Sequence, residues 1–396
     1  MKTVARGVLS RILEVAVRLL PKFKHVVVYG YPQREGNAVE TIRALGCRYK
    51  GTVYWLDGPE SLELLFSETA QLRSIKRLSL HGIWRYTTAE AVFFTHGLYG
   101  NPVPSLRQPI VNLWHGDGIK GFPEAPSSRR SIAPATYVVG GTKLLTKQKT
   151  IDFKMNEDAV IVTGNPRIDQ FRSRPSGAVL HSLGVDAAKP YVVWMPTFRK
   201  ARSVGASPGW TDSTNIGSEL GDQIRQISTI FTGMGIQLVV KPHPLDVESH
   251  NIPGCIALRD DQISDAGTTL YQLLGASAGL ISDYSSVWTD YLVLNKPIAF
   301  LIPDKDDYRR GRGVFPADVV DWLPGIEITD AESAVSFGEE VVVGRGSKEH
   351  LRTYAVDRLG VVFPESAAND LLDALESLSV FRKSKSLRPR DQKVTL

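Results

Sequence analysis

Two adjacent serines stand where an apolar strand gives way to a helical pattern, in the stretch LISDYSS. The apolar run ends at Ser282, and apolar residues resume with helical spacing from Val287. Ser285 and Ser286 therefore fall in the first turn of a helix. Free backbone N–H groups and the positive end of the helix dipole attract phosphate at such a turn, and two hydroxyls can add donors. The alternative is that one of the two serines simply caps the helix, which needs only one hydroxyl, and this explanation stays open.

Two histidines stand in settings that suit proton transfer. His243 lies in the segment KPHP, whose prolines fix the backbone, and it can donate to phosphate oxygens or protonate a leaving group. His115 lies among glycines in WHGDGIKG, where a backbone can approach a ligand closely, and it is a natural general base near neutral pH. Lys120, in the same segment, is a natural partner for the anionic charge of a ligand. His96, in FTHG, is a weaker candidate with no lysine nearby. A structural histidine in a turn is the alternative for His115 and His243.

Other polar residues follow apolar runs elsewhere and are candidates for contact with an anion. They are Arg167, Thr197 and Lys241, and Asp283 in the serine segment is a further donor-binding candidate. Arg312 lies with Arg309 and Arg310 in a glycine-containing segment that suits bidentate contact with phosphate, although a solvated loop is the alternative. Ligands of open α/β sheets bind beyond the carboxyl ends of the strands. The sequence therefore predicts a cleft built for an anion.

The elements that must position these residues are apolar runs that alternate with helical patterns in both halves of the chain. Eleven runs are typical of strands buried on both faces: 25–31, 52–56, 90–97, 110–116, 136–141, 159–167, 191–199, 236–244, 255–260, 279–286 and 297–303. Interleaved helices predict parallel sheets with right-handed crossovers. We therefore predict an α/β fold of two Rossmann-like domains facing a cleft, connected by the polar stretch 173–190. A helical pattern at 367–381 could lie back across the domains.

Length and composition favour a soluble protein of two domains. The chain has 396 residues, of which 42% are hydrophobic and 22% charged. Cys47 and Cys255 lie far apart, provide neither a disulfide framework nor metal-ligand spacing, and indicate a reducing compartment. No uninterrupted apolar stretch reaches the roughly 18 residues that a membrane span needs.

Positive charge is concentrated at the two ends of the chain. Residues 1–25 and 381–396 each hold six Lys or Arg and one acid, whereas the whole chain has a net charge of +5, so the middle is acidic. A nucleic-acid groove would instead carry its positive surface through the folded domain, and we expect no nucleic-acid partner. Residues 1–25 are amphipathic at helical spacing, which together with the basic tail predicts contact with an anionic membrane surface. The alternatives are a helix packed on the protein's own core and a disordered tail.

Seven stretches together resemble the CDP-glycerol glycerophosphotransferases of teichoic-acid synthesis. In order they are LWHGDGIK, GNPRID, PTFR, KPHP, LISDYSSVWTDYLVLNKPI, DDYRRGRG and WLPG, spanning roughly residues 110–325. Two departures concern the donor, since Asp117 stands where the family usually has Thr and Gly118 where it has Pro. An acid facing the donor would repel its phosphates. Thr268 and Thr269 also replace an acid-rich helix start.

The resemblance implies a two-domain fold of the GT-B kind with the nucleotide bound mainly by the C-terminal half. It also implies that His115 and His243 are the essential pair, that Ser285 and Ser286 contact the donor's phosphates, and that the protein attaches to the inner membrane face without spanning it. The expected domains are a membrane-surface helix at 1–25, an acceptor domain at 26–175, a nucleotide-donor domain at 186–380 and a basic tail at 381–396.

We therefore predict transfer of glycerol phosphate from CDP-glycerol to a hydroxyl of a lipid-linked acceptor, with release of CMP, at the cytoplasmic face of the cell membrane. His115 and His243 are the predicted catalytic residues. The predicted donor-binding residues are Lys120, Arg167, Thr197, Lys241, Asp283, Ser285, Ser286 and Arg312. We expect no cofactor and no metal site, since paired carboxylates of the kind that two-metal sites need are not evident. The alternatives are a GT-B glycosyltransferase or epimerase with another nucleotide-activated donor, and a non-catalytic nucleotide-binding membrane protein.

Overall fold

The structure is a computed structural model that describes residues 2–59, 72–120, 134–196, 214–242, 252–311 and 313–381, with the backbone alone at 2–9 and 214–219. The chain divides into two compact units. The first unit comprises the described residues of 1–116, 128–169 and 362–396, and the second those of 117–127 and 170–361.

The strands, in chain order, are β1 (Phe23–Tyr29), β2 (Thr52–Leu56), β3 (Leu72–Ile75), β4 (Ala89–Phe94), β5 (Ile110–Asn112), β6 (Tyr137–Gly140), β7 (Val160–Val162), β8 (Tyr191–Trp194), β9 (Gln237–Val240), β10 (Cys255–Ala257), β11 (Gly279–Ser282), β12 (Ile298–Phe300) and β13 (Ile326–Glu327). The helices are α1 (Lys2–Leu19), α2 (Gly36–Arg48), α3 (Leu80–Thr88), α4 (Lys143–Asp152), α5 (Gly177–Ser182), α6 (Thr214–Gly233), α7 (Asp260–Asp265), α8 (Leu270–Ala276), α9 (Val287–Tyr291), α10 (Lys305–Gly311), α11 (Ala331–Val343), α12 (Glu349–Leu359) and α13 (Ala367–Ser377).

Each unit contains one parallel sheet. The first sheet has the strand order β3-β2-β1-β4-β5-β6-β7, and the second has the order β10-β9-β8-β11-β12-β13. All the pairings between neighbouring strands are parallel. The predicted α/β class with parallel sheets is therefore confirmed. Each of the eleven apolar runs contains a strand or most of one.

Apolar side chains cover both faces of the first sheet. On β1, Val26 and Val28 lie in the core formed with α2 and α13, whereas Val27 and Tyr29 lie in the core formed with α1. All four side chains are buried. A strand covered on both sides needs apolar residues at consecutive positions, which is why these strands can be recognised as continuous apolar runs.

The second sheet carries its main core on the face covered by α6 and α11. Val192 and Trp194 of β8 pack there with Ile224 and Phe231 of α6 and with Phe337 of α11. The polar stretch 173–190, expected to connect the two halves, lies within the second unit and contains the short helix α5.

The boundary between the units differs from the predicted one at the C-terminal end. Residues 362–380 were expected in the second domain, yet they belong to the first unit. The cause is the apolar face of α13, because Leu371, Leu372 and Leu375 are buried in the core that α2 also lines. Arg48 of α2 adds a hydrogen bond of 3.0 Å to the carbonyl oxygen of Asn369.

The N-terminal helix is shorter than the predicted segment 1–25, since it ends at Leu19 and β1 begins at Phe23. Leu13 and Val17 are buried in the core of the first unit, while Ile12, Val15 and Leu19 are exposed. The helix thus packs on the protein through one face and leaves a second apolar face uncovered. Among the described residues, no helix is long and apolar enough to cross a membrane.

Candidate active site

The carboxyl ends of β1, β4 and β5 lie side by side in the first sheet and bring three of its polar segments together. Tyr31 follows β1, His96 follows β4 and His115 follows β5. Phe94 and Asn112 are register partners, and the Leu113 N–H donates to the Phe94 carbonyl at 2.8 Å, so pairing continues just past the strand ends. This edge is where ligands of open α/β sheets bind.

The backbone that presents His115 is held in an unusual conformation. Trp114 has a φ of 48°, in the left-handed region that a non-glycine residue rarely adopts, and Gly116 follows with a φ of 120°. The Trp114 N–H donates to Asn112 Oδ1 at 2.9 Å, and the Trp114 carbonyl accepts from Asn37 Nδ2 at 3.0 Å. Backbone strain maintained by surrounding contacts is frequent at functional sites.

Arg167 lies against this segment within the first unit. Its Nη1 donates to the His115 carbonyl at 3.0 Å and lies 3.7 Å from a carboxylate oxygen of Glu35. Its backbone N–H donates to Oδ1 of the buried Asn37 at 3.0 Å. Arg167 is itself buried, so these contacts fix the position of the residue as well as that of His115. Its predicted contact with the donor stays a prediction.

Asn37 and Glu35 are absent from the sequence-based set of site residues. Both stand at the start of α2, where Glu35 accepts from the Ala38 N–H at 3.0 Å as the helix cap. A polar residue in the first turn of a helix is ordinarily explained by capping alone. No local pattern could indicate that Asn37 also reaches the segments around Trp114 and Arg167, which lie far away in the sequence.

Two aromatic rings pack against the His115 imidazole. The His96 ring stacks on it with centroids 4.3 Å apart and an angle of 13°, and the Trp114 ring lies 4.1 Å away at 37°. Tyr31 meets His96 edge-on at 5.7 Å. One side of His96 is exposed to solvent, and desolvation of the rest of the ring, together with the positive charge of Arg167, lowers its pKa to about 4. His96 is therefore uncharged near neutral pH.

The LISDYSS segment follows the second sheet's β11 as a tightly held turn. Asp283 Oδ1 accepts from the Ser285 N–H at 3.0 Å, the Tyr284 hydroxyl donates to Asp304 at 3.1 Å, and the Tyr284 ring stacks on Tyr308 at 3.5 Å. Ser286 is the N-cap residue of α9, yet its side chain makes no capping hydrogen bond. The capping explanation therefore does not describe Ser286.

The helix after these serines is short and begins at Val287, so that Ser285 precedes it. α9 has five residues and is followed by a 3-10 turn at Leu292–Leu294. Few aligned peptide units add little helix dipole. Any attraction for phosphate must come mainly from the hydroxyls and local N–H groups of the turn.

The second half of the WHGDGIK motif belongs to the second unit and lies beside the serines. The Asp117 carbonyl accepts from the Thr289 hydroxyl at 2.9 Å, and a Cβ built on Gly118 would lie 3.7 Å from that of Ser286. Lys120 forms an isolated bridge with Val314. Asp117 is fully buried, so its carboxylate does not form an exposed negative surface beside Ser286.

Lys241 immediately follows β9, which pairs with β8. The serine segment follows β11, on the other side of β8. The Lys241 ammonium group lies 3.1 Å from the Asp260 carboxylate and 3.1 Å from the Pro242 carbonyl. Three other predicted site residues, His243, Thr197 and Arg312, lie outside the described residues. Over the described parts of the chain, no three His, Cys, Asp or Glu side chains are grouped so that they could hold a metal ion.

A match to a known protein family covers most of the residues described above. The family model for CDP-Glycerol:Poly(glycerophosphate) glycerophosphotransferase matches residues 50–358, well over half of the chain. The chain belongs to this glycerophosphotransferase family. The predicted family is thereby confirmed, and the matched range includes His96, His115, Arg167 and the LISDYSS turn.

Two curated relatives of the family are primases. The chain is 40% identical over 255 residues to the teichoic acid ribitol-phosphate primase of Bacillus spizizenii, covering 59% of this chain and 61% of the relative. It is 26% identical over 240 residues to the teichoic acid glycerol-phosphate primase of Bacillus subtilis, covering 57% of this chain and 58% of the relative. The chain thus spans about three fifths of the length of each of these two relatives.

The wall teichoic acid polymerase TagF has a similar solved structure. The TM-score is 0.66 at 18% identity, and the likeness covers 96% of this chain and 94% of that chain. At this identity the likeness concerns the fold, and it supports the GT-B type that the glycerophosphotransferase resemblance implies.

Proposed function

We propose that this protein transfers glycerol phosphate from CDP-glycerol to a hydroxyl of a lipid-linked acceptor and releases CMP, in synthesis of a teichoic-acid-like polymer. The observation that carries the proposal is the position of His115 at the carboxyl edge of the first sheet, in a chain of the glycerophosphotransferase family. The left-handed Trp114 and the bond from Arg167 to the His115 carbonyl hold this residue in place.

In the proposed reaction the acceptor's hydroxyl oxygen attacks the β-phosphorus of CDP-glycerol in line. A new phosphorus–oxygen bond forms, and the bond between the β-phosphorus and the bridging oxygen breaks, so that CMP leaves with that oxygen. His115 takes the acceptor's proton as general base. Positioning and charge stabilisation supply most of the catalysis in phosphoryl transfer.

The donor's phosphates are assigned to the second unit. The hydroxyls of Ser285 and Ser286 supply hydrogen bonds, and the Asp283 carboxylate holds the Ser285 backbone in place. His243 and Arg312, which lie outside the described residues, are assigned to the same phosphates. Lys241 and Lys120 add positive charge, with that of Lys241 partly offset by Asp260.

CMP release separates this proposal from its rivals. The purified protein is incubated with CDP-glycerol and a lipid-linked acceptor, with CDP-ribitol and UDP-sugars as alternative donors. Release of CMP that depends on the acceptor supports polyol-phosphate transfer. Release of UDP or epimerisation of a UDP-sugar supports the other GT-B enzymes, and binding of a nucleotide without turnover supports the non-catalytic alternative.

Transfer of ribitol phosphate from CDP-ribitol is the second candidate function. The observation that favours it is the 40% identity to a ribitol-phosphate primase, against 26% to a glycerol-phosphate primase. CDP-glycerol and CDP-ribitol share the CDP group, so the residues assigned to the donor's phosphates can bind either donor. The ratio of kcat/KM for the two donors decides between them.

We also propose that the first unit attaches to an anionic membrane surface at the cytoplasmic face. The support comes from α1, whose exposed residues Ile12, Val15 and Leu19 lie along one side of a helix anchored by Leu13 and Val17. Large contiguous apolar patches on a protein surface commonly mark sites of contact with a membrane or another protein. A helix that lies in a membrane interface presents such a face to the lipid.

A turn beside α1 extends this surface. The Val103 N–H donates to Glu14 at 3.1 Å, and Arg107 donates to the Arg18 carbonyl at 2.6 Å, which fix the turn against the helix. Leu106, between these two contacts, is fully exposed. Arg11, Arg18 and Arg107 are also exposed there. Each cation near an anionic leaflet adds about 1 kcal/mol of attraction. The basic tail, which we assign to the same surface, lies outside the described residues from position 382.

A further inference from the structure

We propose that His96 is a positioning residue for His115: its ring, stacked on the His115 imidazole, holds that imidazole in the orientation in which it removes the acceptor's proton. The inference rests on the proposed role of His115 as general base. It gives a role to His96, which on its local sequence alone is a weaker catalytic candidate than His115 or His243.

The stack follows from the register of the first sheet. Phe94 and Asn112 are paired at the ends of β4 and β5, and His96 and His115 lie two and three residues beyond them. The centroids are 4.3 Å apart and the planes differ by 13°, which is a parallel stack. Two rings in this arrangement restrict each other's rotation, because turning either one would drive its edge into the other.

His96 is itself fixed from two directions. Its Nδ1 lies 3.1 Å from the hydroxyl of the buried Thr95, and the Tyr31 ring meets it edge-on at 5.7 Å. The same Thr95 oxygen accepts from the Tyr31 N–H at 3.0 Å, and its hydroxyl hydrogen can donate to His96 Nδ1 when that nitrogen carries no proton. This pattern suits a neutral imidazole with its proton on Nε2.

The charge state of His96 matters because His115 becomes positive when it takes a proton. A charged ring at 4.3 Å would oppose that step, whereas a neutral ring presents a π face that tolerates a cation. Desolvation and Arg167 lower the pKa of His96 to about 4, which keeps the ring neutral at working pH. Arg167 is the charged group that acts on His96, and its guanidinium lies 3.7 Å from the Glu35 carboxylate.

Variants at His96 separate ring stacking from other roles. His96→Phe keeps an uncharged flat ring, whereas His96→Ala removes it. We expect His96→Ala to lower kcat about tenfold, since loss of orientation is costly for a positioned catalytic group, while KM for CDP-glycerol changes little. His96→Phe should restore kcat to within about threefold and leave the acid limb of the rate–pH profile in place. His181→Ala, at an exposed histidine of α5 in the second unit, is the matched control and should behave as wild type.

A second measurement does not depend on turnover. Ring resonances of His115 are identified by NMR from their loss in His115→Gln, and a stacked neighbouring ring shifts them. We expect this shift in wild type and in His96→Phe and its loss in His96→Ala. Unchanged His115 resonances in His96→Ala, or a kcat equal to wild type, would overturn the inference, as would a His96→Phe enzyme as slow as His96→Ala. Absence of CMP release by wild type, with the NMR shift present, would refute the proposed function and leave the stack established.

Discussion

The guanidinium of Arg167 donates to the carbonyl oxygen of His115 at 3.0 Å, while the Glu35 carboxylate lies 3.7 Å from the same nitrogen. This bond links the 3-10 helix Pro166–Arg172, which follows β7, to the loop after β5. The Arg167 backbone N–H is held by Asn37, which also donates to the Trp114 carbonyl. Arg167 and Asn37 together hold the segment that carries His115.

Replacement of Arg167 distinguishes positioning of His115 from contact with the donor. Arg167→Lys keeps the charge but cannot keep the geometry of the guanidinium with the His115 carbonyl and Glu35. We expect kcat to fall about tenfold with little change in KM for CDP-glycerol, because the bond orients the proposed base. Steady-state kinetics measure both constants. A raised KM with an unchanged kcat would instead support the donor contact that the sequence predicts.

The serine pair has a prediction that separates a donor site from a capped helix. Ser285→Ala and Ser286→Ala should each raise the dissociation constant for CDP-glycerol about tenfold, the loss expected for a hydrogen bond to a charged phosphate. Neither should reduce the free energy of unfolding by the roughly 1 kcal/mol that a lost cap costs. Calorimetric titration and urea unfolding measure the two quantities. Lower stability with unchanged donor affinity would show that the serines serve the fold.

Loss of the α1 apolar face should greatly weaken membrane attachment. A triple substitution of Ile12, Val15 and Leu19 by Ser spares Leu13 and Val17, which belong to the core, so the fold should survive. We expect this variant to co-sediment far less with anionic vesicles than wild type, and wild-type binding to weaken as salt shortens the Debye length below about 10 Å. Val342→Ser with Val343→Ser changes exposed apolar residues of α11 and is the matched control. Equal sedimentation of the triple variant and wild type would contradict the proposed surface.

Stability at acid pH should depend on His96. Its pKa in the folded protein is about 4, lowered by desolvation and Arg167 from an ordinary value of 6.5, and solvent at the exposed side of the ring screens part of the effect on stability. Between these values the unfolded chain binds a proton that the folded chain does not, so stability falls as the pH drops through this window. His96→Phe removes this contribution and should lose less unfolding free energy than wild type between about pH 7 and pH 5. Urea unfolding at both values measures the difference, and equal losses would count against a neutral His96.

Much of the fold could be predicted because buried parallel strands require consecutive apolar residues, as in TVYWL, which is β2 in full. β3 and β13 lack that signal, since one has the sequence LRSI and the other has two residues. α13 is recognisable as a helix, but its packing on α2 depends on contacts between distant residues. The strand-end residues near His115 could likewise be predicted, whereas Asn37 and the His96 stack depend on sheet register.

Single-turnover measurement of CMP release by His115→Ala tests the central claim most directly. The account predicts a fall of at least about 10²-fold in the rate of transfer from CDP-glycerol, with the donor's dissociation constant nearly unchanged, because a general base contributes at least that much to the chemical step. His181→Ala serves as the control at an exposed histidine. A transfer rate in His115→Ala close to that of wild type would contradict the account.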